Sequence, residues 1–242
     1  MRLIRNAIVV CSVPALMANV SAPPGGNISA VTLKLRVKPA VKKTAADYYS
    51  EWHLMNTGLS KTAFEYAVRG YNYLMENNRL ANSSVLTIVD YSKPSSEKRL
   101  YVLDMNDGRI LFNSLAAHGR NSGLVYASNF SNEPSSLKTS LGFFITANTY
   151  TGNNGYSLKL TGCERGINDK ALQRAIVIHG ADYVDENFVQ HNGYLGRSHG
   201  CPAVPEKISR QIIDVIKNGS CVFLYHPTKK YTTRSKILNS RA

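Results

Sequence analysis

The sequence predicts a mainly β protein, a sandwich or open barrel, with a helical hairpin ahead of the strands and one helix near the C-terminus. Three observations carry that expectation. Between Ala81 and Tyr225 the chain falls into short runs of β-branched and aromatic residues with turn residues between them. Ahead of those runs, two segments within 44–80 place apolar residues at helical intervals. Near the end, Glu206–Lys217 sets Ile208, Ile212, Ile213 and Ile216 on one side of a helix that Asn218-Gly219 would stop.

At 242 residues the chain can hold one sizeable domain with an appendage. Its N-terminus carries Arg2 and Arg5, the apolar run Ala7–Met17, and the small residues Ala18-Asn19-Val20-Ser21-Ala22. Residues 1–22 therefore read as a signal peptide, and export to the periplasm or cell envelope is expected. The run is too short and too weakly apolar for a permanent membrane span. A lipid anchor at Cys11 is disfavoured, because Ile8-Val9-Val10 lacks the small residues that such sites need. Residues 23–43 are Pro/Gly-containing and then basic, a linker with a short strand at Val31–Val37.

Thr44 with Asp47 has the pattern of a capping box, and Ala45, Tyr48, Tyr49 and Trp52 recur at helical spacing up to about Met55. Ser60 caps a second helix, with Phe64, Ala67, Val68, Tyr71, Leu74 and Met75 as its apolar stripe. Such a stripe is far more often core than a sugar-binding face. Strands follow at Val85–Tyr91, Leu100–Asp104, Arg109–Ala117, Leu141–Ala147 and Tyr156–Leu160, a pattern that argues against alternating βαβ units. The domain 81–227 ends with a strand to Tyr225, and residues 228–242 read as a solvated, mobile basic tail.

The formal charge of +13 suggests polyanionic partners. No RNP, zinc-finger or helix-turn-helix signature is present, so nucleic acid is not expected, and scattered charge suits peripheral contact with an anionic cell envelope.

Chemistry concentrates between Ile176 and Val204. A short apolar run delivers His179 and Gly180 at a strand end, and Ser198-His199-Gly200-Cys201-Pro202 follows. A thiol attacks as thiolate, so Cys201 needs a base or cation beside it and donors for the oxyanion it creates. The base is His179 or His199, with His179 favoured because a strand end is a rigid mount. Pro202 has no N–H, which leaves the amides of Cys201, Gly200 or His199 as oxyanion donors.

At these residues the chain resembles the L,D-transpeptidase catalytic domain family, whose pattern is an upstream His-Gly followed by Ser-His-Gly-Cys. The resemblance runs from about Val85 to Tyr225. It implies a fold of the L,D-transpeptidase type. It also implies a cysteine that attacks the L,D bond of a peptidoglycan stem tetrapeptide, releases D-alanine and passes the acyl group to an amine or to water. Cys201 would be the nucleophile and His179 the general base. Ser198, His199 and Gly200 would wall the oxyanion site, with Gly180 joining the substrate-binding group. Many members carry arginine two residues after the cysteine, where this chain has Pro202-Ala203-Val204, and Arg197 is a candidate to stand in. No metal or organic cofactor is required.

Zinc is the main chemical competitor, since His179, His191, His199 and Cys201 are all ligand types, but no Cys-x-x-Cys or i, i+4 histidine pair occurs. His191 reads as a loop residue. His118-Gly119 either lines the cleft or caps a strand end, and His53 and His226 read as structural. Asp182 or Asp185 is a candidate to orient His179, as is a backbone carbonyl. Cys163 and Cys221 would form a disulfide if they lay close together. A non-catalytic wall-binding protein would have no use for a thiol set among histidines and glycine.

Overall fold

Thr44 caps the first helix as the sequence predicts: its side chain accepts from the Asp47 amide while Asp47 reaches back to the Thr44 amide. These residues belong to a computed structural model that describes residues 43–240, so the predicted signal peptide, the Val31–Val37 strand and nearly all of the 23–43 linker lie outside the described residues. Helix α1 (Ala45–Glu51) gives way to a 3-10 turn at Leu54–Thr57, and α2 (Lys61–Glu76) is capped by Ser60. The aromatic stripe is core. Phe64, Ala67, Tyr71 and Leu74 are buried in the same cluster as the strands, and a Cβ on Gly70 would lie 2.0 Å from the Phe143 ring.

The strands are β1 (Val85–Asp90), β2 (Leu100–Asp104), β3 (Ile110–Ser114), β4 (Gly142–Gly152), β5 (Gly155–Gly162), β6 (Val177–Ala181), β7 (Ala203–Pro205) and β8 (Cys221–Tyr225). They form one mixed sheet in the order β3-β2-β1-β8-β4-β5-β6-β7. Its two ends meet where the Ala117 amide donates to the Ala203 carbonyl at 2.8 Å. The result is a nearly closed barrel, and the sandwich alternative does not arise. Closure brings the chain just beyond β3 against the start of β7.

Two expectations fail here. Between β6 and β7, which are parallel, runs a helical crossover containing α3 (Glu186–Asn192), so one βαβ unit is present after all. No residue of α3 is buried, and a helix without an apolar face leaves no periodic signal. The basic tail also packs. After α4 (Glu206–Ile216) and β8, helix α5 (Lys229–Thr232) and the residues beyond it bury Tyr231, Ile237 and Leu238 while Lys229, Lys230, Arg234 and Lys236 face solvent. Its anchor is Glu164, which accepts from the Tyr231 hydroxyl at 3.1 Å, the Phe143 amide at 2.9 Å and the Ser235 hydroxyl. Charge density hid a buried face whose partner lies more than sixty positions away.

Candidate active site

His179 stands in the middle of β6, not at its end as the sequence suggested, opposite Ser157 of β5 on one side and Ala203 of β7 on the other. It is only 4% exposed. Its Nδ1 lies 2.8 Å from the Gly180 carbonyl, which fixes the tautomer with the proton on Nδ1 and leaves the Nε2 lone pair as a base. Burial holds the imidazole below its ordinary pKa, so it is neutral at neutral pH. Asp182 and Asp185 do not reach it. The first accepts from the Tyr183 amide and the second caps α3. A backbone carbonyl therefore fills the orienting position.

Packing requires glycine at position 180. A Cβ there would lie 2.7 Å from the Ser209 Oγ and 3.1 Å from the Glu206 Cα, so the glycine lets α4 pack against β6. Its contribution to the site is the carbonyl that orients His179.

Cys201 lies two residues before Ala203, the register partner of His179. The thiol donates to the Ala175 carbonyl at 3.6 Å, and the Val177 amide also lies beside the sulfur. Sulfur thus occupies the place where a longer β7 would pair with the edge of β6. Cys201 is partly exposed, and desolvation raises its pKa, against a lowering by the Val177 amide and the Arg174 charge. The resting pair is a neutral thiol and a neutral imidazole.

The Ser-His-Gly-Cys turn is held from within. Ser198 Oγ donates to the Cys201 carbonyl at 2.6 Å and accepts from the Gly200 amide at 3.0 Å. That second bond occupies the Gly200 N–H, so of the three predicted oxyanion donors only the His199 and Cys201 amides remain. Gly200 sits at φ +127°, and a Cβ there would press on the Lys138 carbonyl at 2.9 Å and the Arg174 Nη2 at 3.2 Å. The His199 side chain is exposed, which leaves His179 as the mounted histidine.

Arg197 lies over the Tyr194 ring, 5.8 Å from its centroid, and its charge bears on His118 rather than on Cys201. The cation beside the thiol is Arg174, which the motif did not reveal. Its Nη2 donates to the Lys138 carbonyl at 2.6 Å and the Ser136 Oγ at 3.3 Å, and its Nη1 to the Ser131 carbonyl at 2.7 Å and the Ser140 hydroxyl. A basic residue just before the strand bearing His179 was the available signal.

His118 is fully buried behind this turn. Its Nδ1 accepts from Arg99 at 2.8 Å and its Nε2 donates to the Gly123 carbonyl at 3.2 Å. Burial, then the Arg99 charge, pushes its pKa down to about 4. Gly119 brings its strand end against the loop that carries Cys201, since a Cβ there would lie 2.9 Å from the Gly200 Cα. His191 is on the exposed face of α3, hydrogen-bonded to the Asn187 carbonyl. Among the described residues no three His, Cys, Asp or Glu side chains converge as a zinc site requires. Cys163 and Cys221 are free thiols, not a disulfide, and desolvation raises the pKa of both, Cys163 to about 12.

A model of the L,D-transpeptidase catalytic domain matches residues 55–225, which include the whole of α2 as well as the strands. The chain belongs to this family. The match begins earlier than the Val85 boundary of the sequence resemblance, in keeping with the core that α2 shares with the sheet. Among solved structures, an L,D-transpeptidase from Mycobacterium smegmatis is 16% identical, with 59% of each chain covered and a TM-score of 0.37. One from Mycobacterium tuberculosis H37Rv is 14% identical over 59% of this chain and 58% of that one, at 0.39. The L,D-transpeptidase from Xylanimonas cellulosilytica DSM 15894 is 16% identical over 74% of this chain and 92% of that one, at 0.34. The chain spans about three fifths of the length of the two mycobacterial chains. At identities and TM-scores this low, family membership rests on the sequence model alone. No curated protein matches.

Proposed function

We propose that this protein is an exported cysteine acyltransferase of peptidoglycan, an L,D-transpeptidase acting on tetrapeptide stems. The observation that supports it most is a partly exposed Cys201 two residues before β7, beside the neighbouring strand whose His179 is buried, neutral and hydrogen-bonded through Nδ1. In the first half-reaction the Cys201 thiol gives its proton to His179 Nε2, and sulfur bonds to the carbonyl carbon of the L-centre. The amides of His199 and Cys201 receive the oxyanion. The C–N bond breaks, the leaving D-alanine amine takes the proton from His179, and a thioester remains. In the second half an amine of another stem attacks the thioester and gives a proton to His179. The C–S bond breaks, and the thiolate recovers that proton.

Water can take the place of the amine, which would make the protein an L,D-carboxypeptidase, and the partial exposure of Cys201 favours that competition. Arg2, Arg5 and the apolar run behind them support action in the periplasm or cell envelope, where stem peptides are the partner and the +13 charge favours an anionic surface.

Mass spectrometry of muropeptides incubated with the protein tests this reading. A tripeptide-linked dimer marks transfer and a tetrapeptide shortened by one D-alanine marks hydrolysis. Cys201→Ala is expected to abolish both, and unchanged turnover in that variant would remove the mechanism.

A further inference from the structure

We infer that Arg174 is a positioning residue of this site, whose guanidinium clamps the 131–140 segment beside the nucleophile's loop and supplies the fixed positive charge that the Cys201 thiolate meets. The inference rests on Cys201 being the reactive thiol, as proposed above. The clamp is built from four hydrogen bonds, to the Ser131 and Lys138 carbonyls and to the Ser136 and Ser140 hydroxyls, all of them neutral oxygens. Among the described residues no carboxylate forms an ion pair with Arg174. The nearby acid is Glu133, and its carboxylate is held by Lys170 at 2.8 Å. The charge is thus fixed in place without being neutralised.

It lies beside the loop that carries Cys201. Nη2 lies 3.2 Å from where a Gly200 Cβ would be, and the carbonyl that accepts from the Cys201 thiol belongs to Ala175, the next residue in the chain. Ala175 is held at φ 52°, a strained conformation for a residue with a Cβ, which marks the segment as constrained by its surroundings. The other titratable groups that bear on the sulfur are Tyr91, the residue after β1, and Tyr183 of the crossover, with His179 on the neighbouring strand β6. Burial raises the Tyr91 and Tyr183 pKa values, the latter to about 12, and lowers that of His179, so all three are neutral at neutral pH. The Arg174 charge lowers the pKa of the Cys201 thiol, against the desolvation that raises it. A thiolate or an oxyanion formed there is stabilised by a charge that needs no rearrangement when the reaction begins.

Alkylation of Cys201 against pH reads this directly and does not depend on the natural substrate. Arg174→Gln is expected to move the alkylation midpoint upward and slow the neutral-pH reaction about tenfold, equivalent to one pKa unit. Arg174→Lys, which keeps the charge, is expected to stay near the native midpoint. An unmoved midpoint in folded Arg174→Gln overturns the inference, and so does an equal shift in both variants, which would reduce Arg174 to a scaffold residue. Should Arg174→Gln fail to fold, the native protein answers by itself. Iodoacetate should outpace iodoacetamide at Cys201 relative to their ratio on a cysteine peptide, and the absence of that preference overturns the inference. If these results hold while muropeptides remain unprocessed, the proposed substrate falls and the role of Arg174 at the thiol stands.

Discussion

His118-Gly119 and His179-Gly180 are the same dipeptide at the end of an apolar run, and both histidines are buried. What separates them is the second ring nitrogen. In His118 both are taken, one by Arg99 and the other by the Gly123 carbonyl, while His179 spends only Nδ1. The glycines divide the work differently as well. Gly119 admits the nucleophile's loop, whereas Gly180 admits α4. Only a histidine with one nitrogen oriented and the other left open can act as a base, and the dipeptide does not encode which of the two has that arrangement.

The contrast is sharpest in catalysis. His179→Ala is expected to lower kcat/KM by about 10²- to 10⁴-fold, the usual contribution of a general base, with the thermal transition retained. Turnover within threefold of native would place the base elsewhere. In the intact protein, activity should fall on the acid side as His179 protonates, with the midpoint below the ordinary histidine value of about 6.5.

His118 should show itself in stability instead. Its native pKa of about 4 lies below the unfolded value of about 6.5, so the unfolded chain binds more protons between them. The stabilisation is complete above about pH 6.5 and is lost as pH falls toward 4, by about 3 kcal/mol. Denaturant titrations across that range measure it, and in His118→Gln this part of the slope should disappear. A smaller loss, about 1–3 kcal/mol, is expected for Gly180→Ala through the clash with Ser209, read from the unfolding midpoint. His199→Ala should change stability by no more than about 0.5 kcal/mol, because its side chain is exposed.

Local chemistry was legible wherever neighbours in sequence are neighbours in space. The Thr44 and Ser60 caps, the apolar face of α4 and the strand at Leu100–Asp104 fall where periodicity and capping put them. Cys201 and His179 stood out as candidates because their residue types and glycine context are unusual. Arg174 did not, since its partners Ser131, Ser136, Lys138 and Ser140 lie more than thirty positions upstream and form no pattern with it. The C-terminal segment was misjudged for the same reason. Its buried anchor, Glu164, belongs to a distant turn.

By itself the sequence determined which thiol and which imidazole stand out as candidates, since short-range residue chemistry suffices to single out a cysteine between glycine and proline and a histidine closing an apolar run. Only the tertiary structure decided that β7 closes against the chain after β3, that the Gly200 amide is occupied by Ser198, that Gly180 serves packing and that a cation from before β6 stands beside the sulfur. Each of these depends on groups brought together by barrel closure, and distance along the chain carries no record of such contacts.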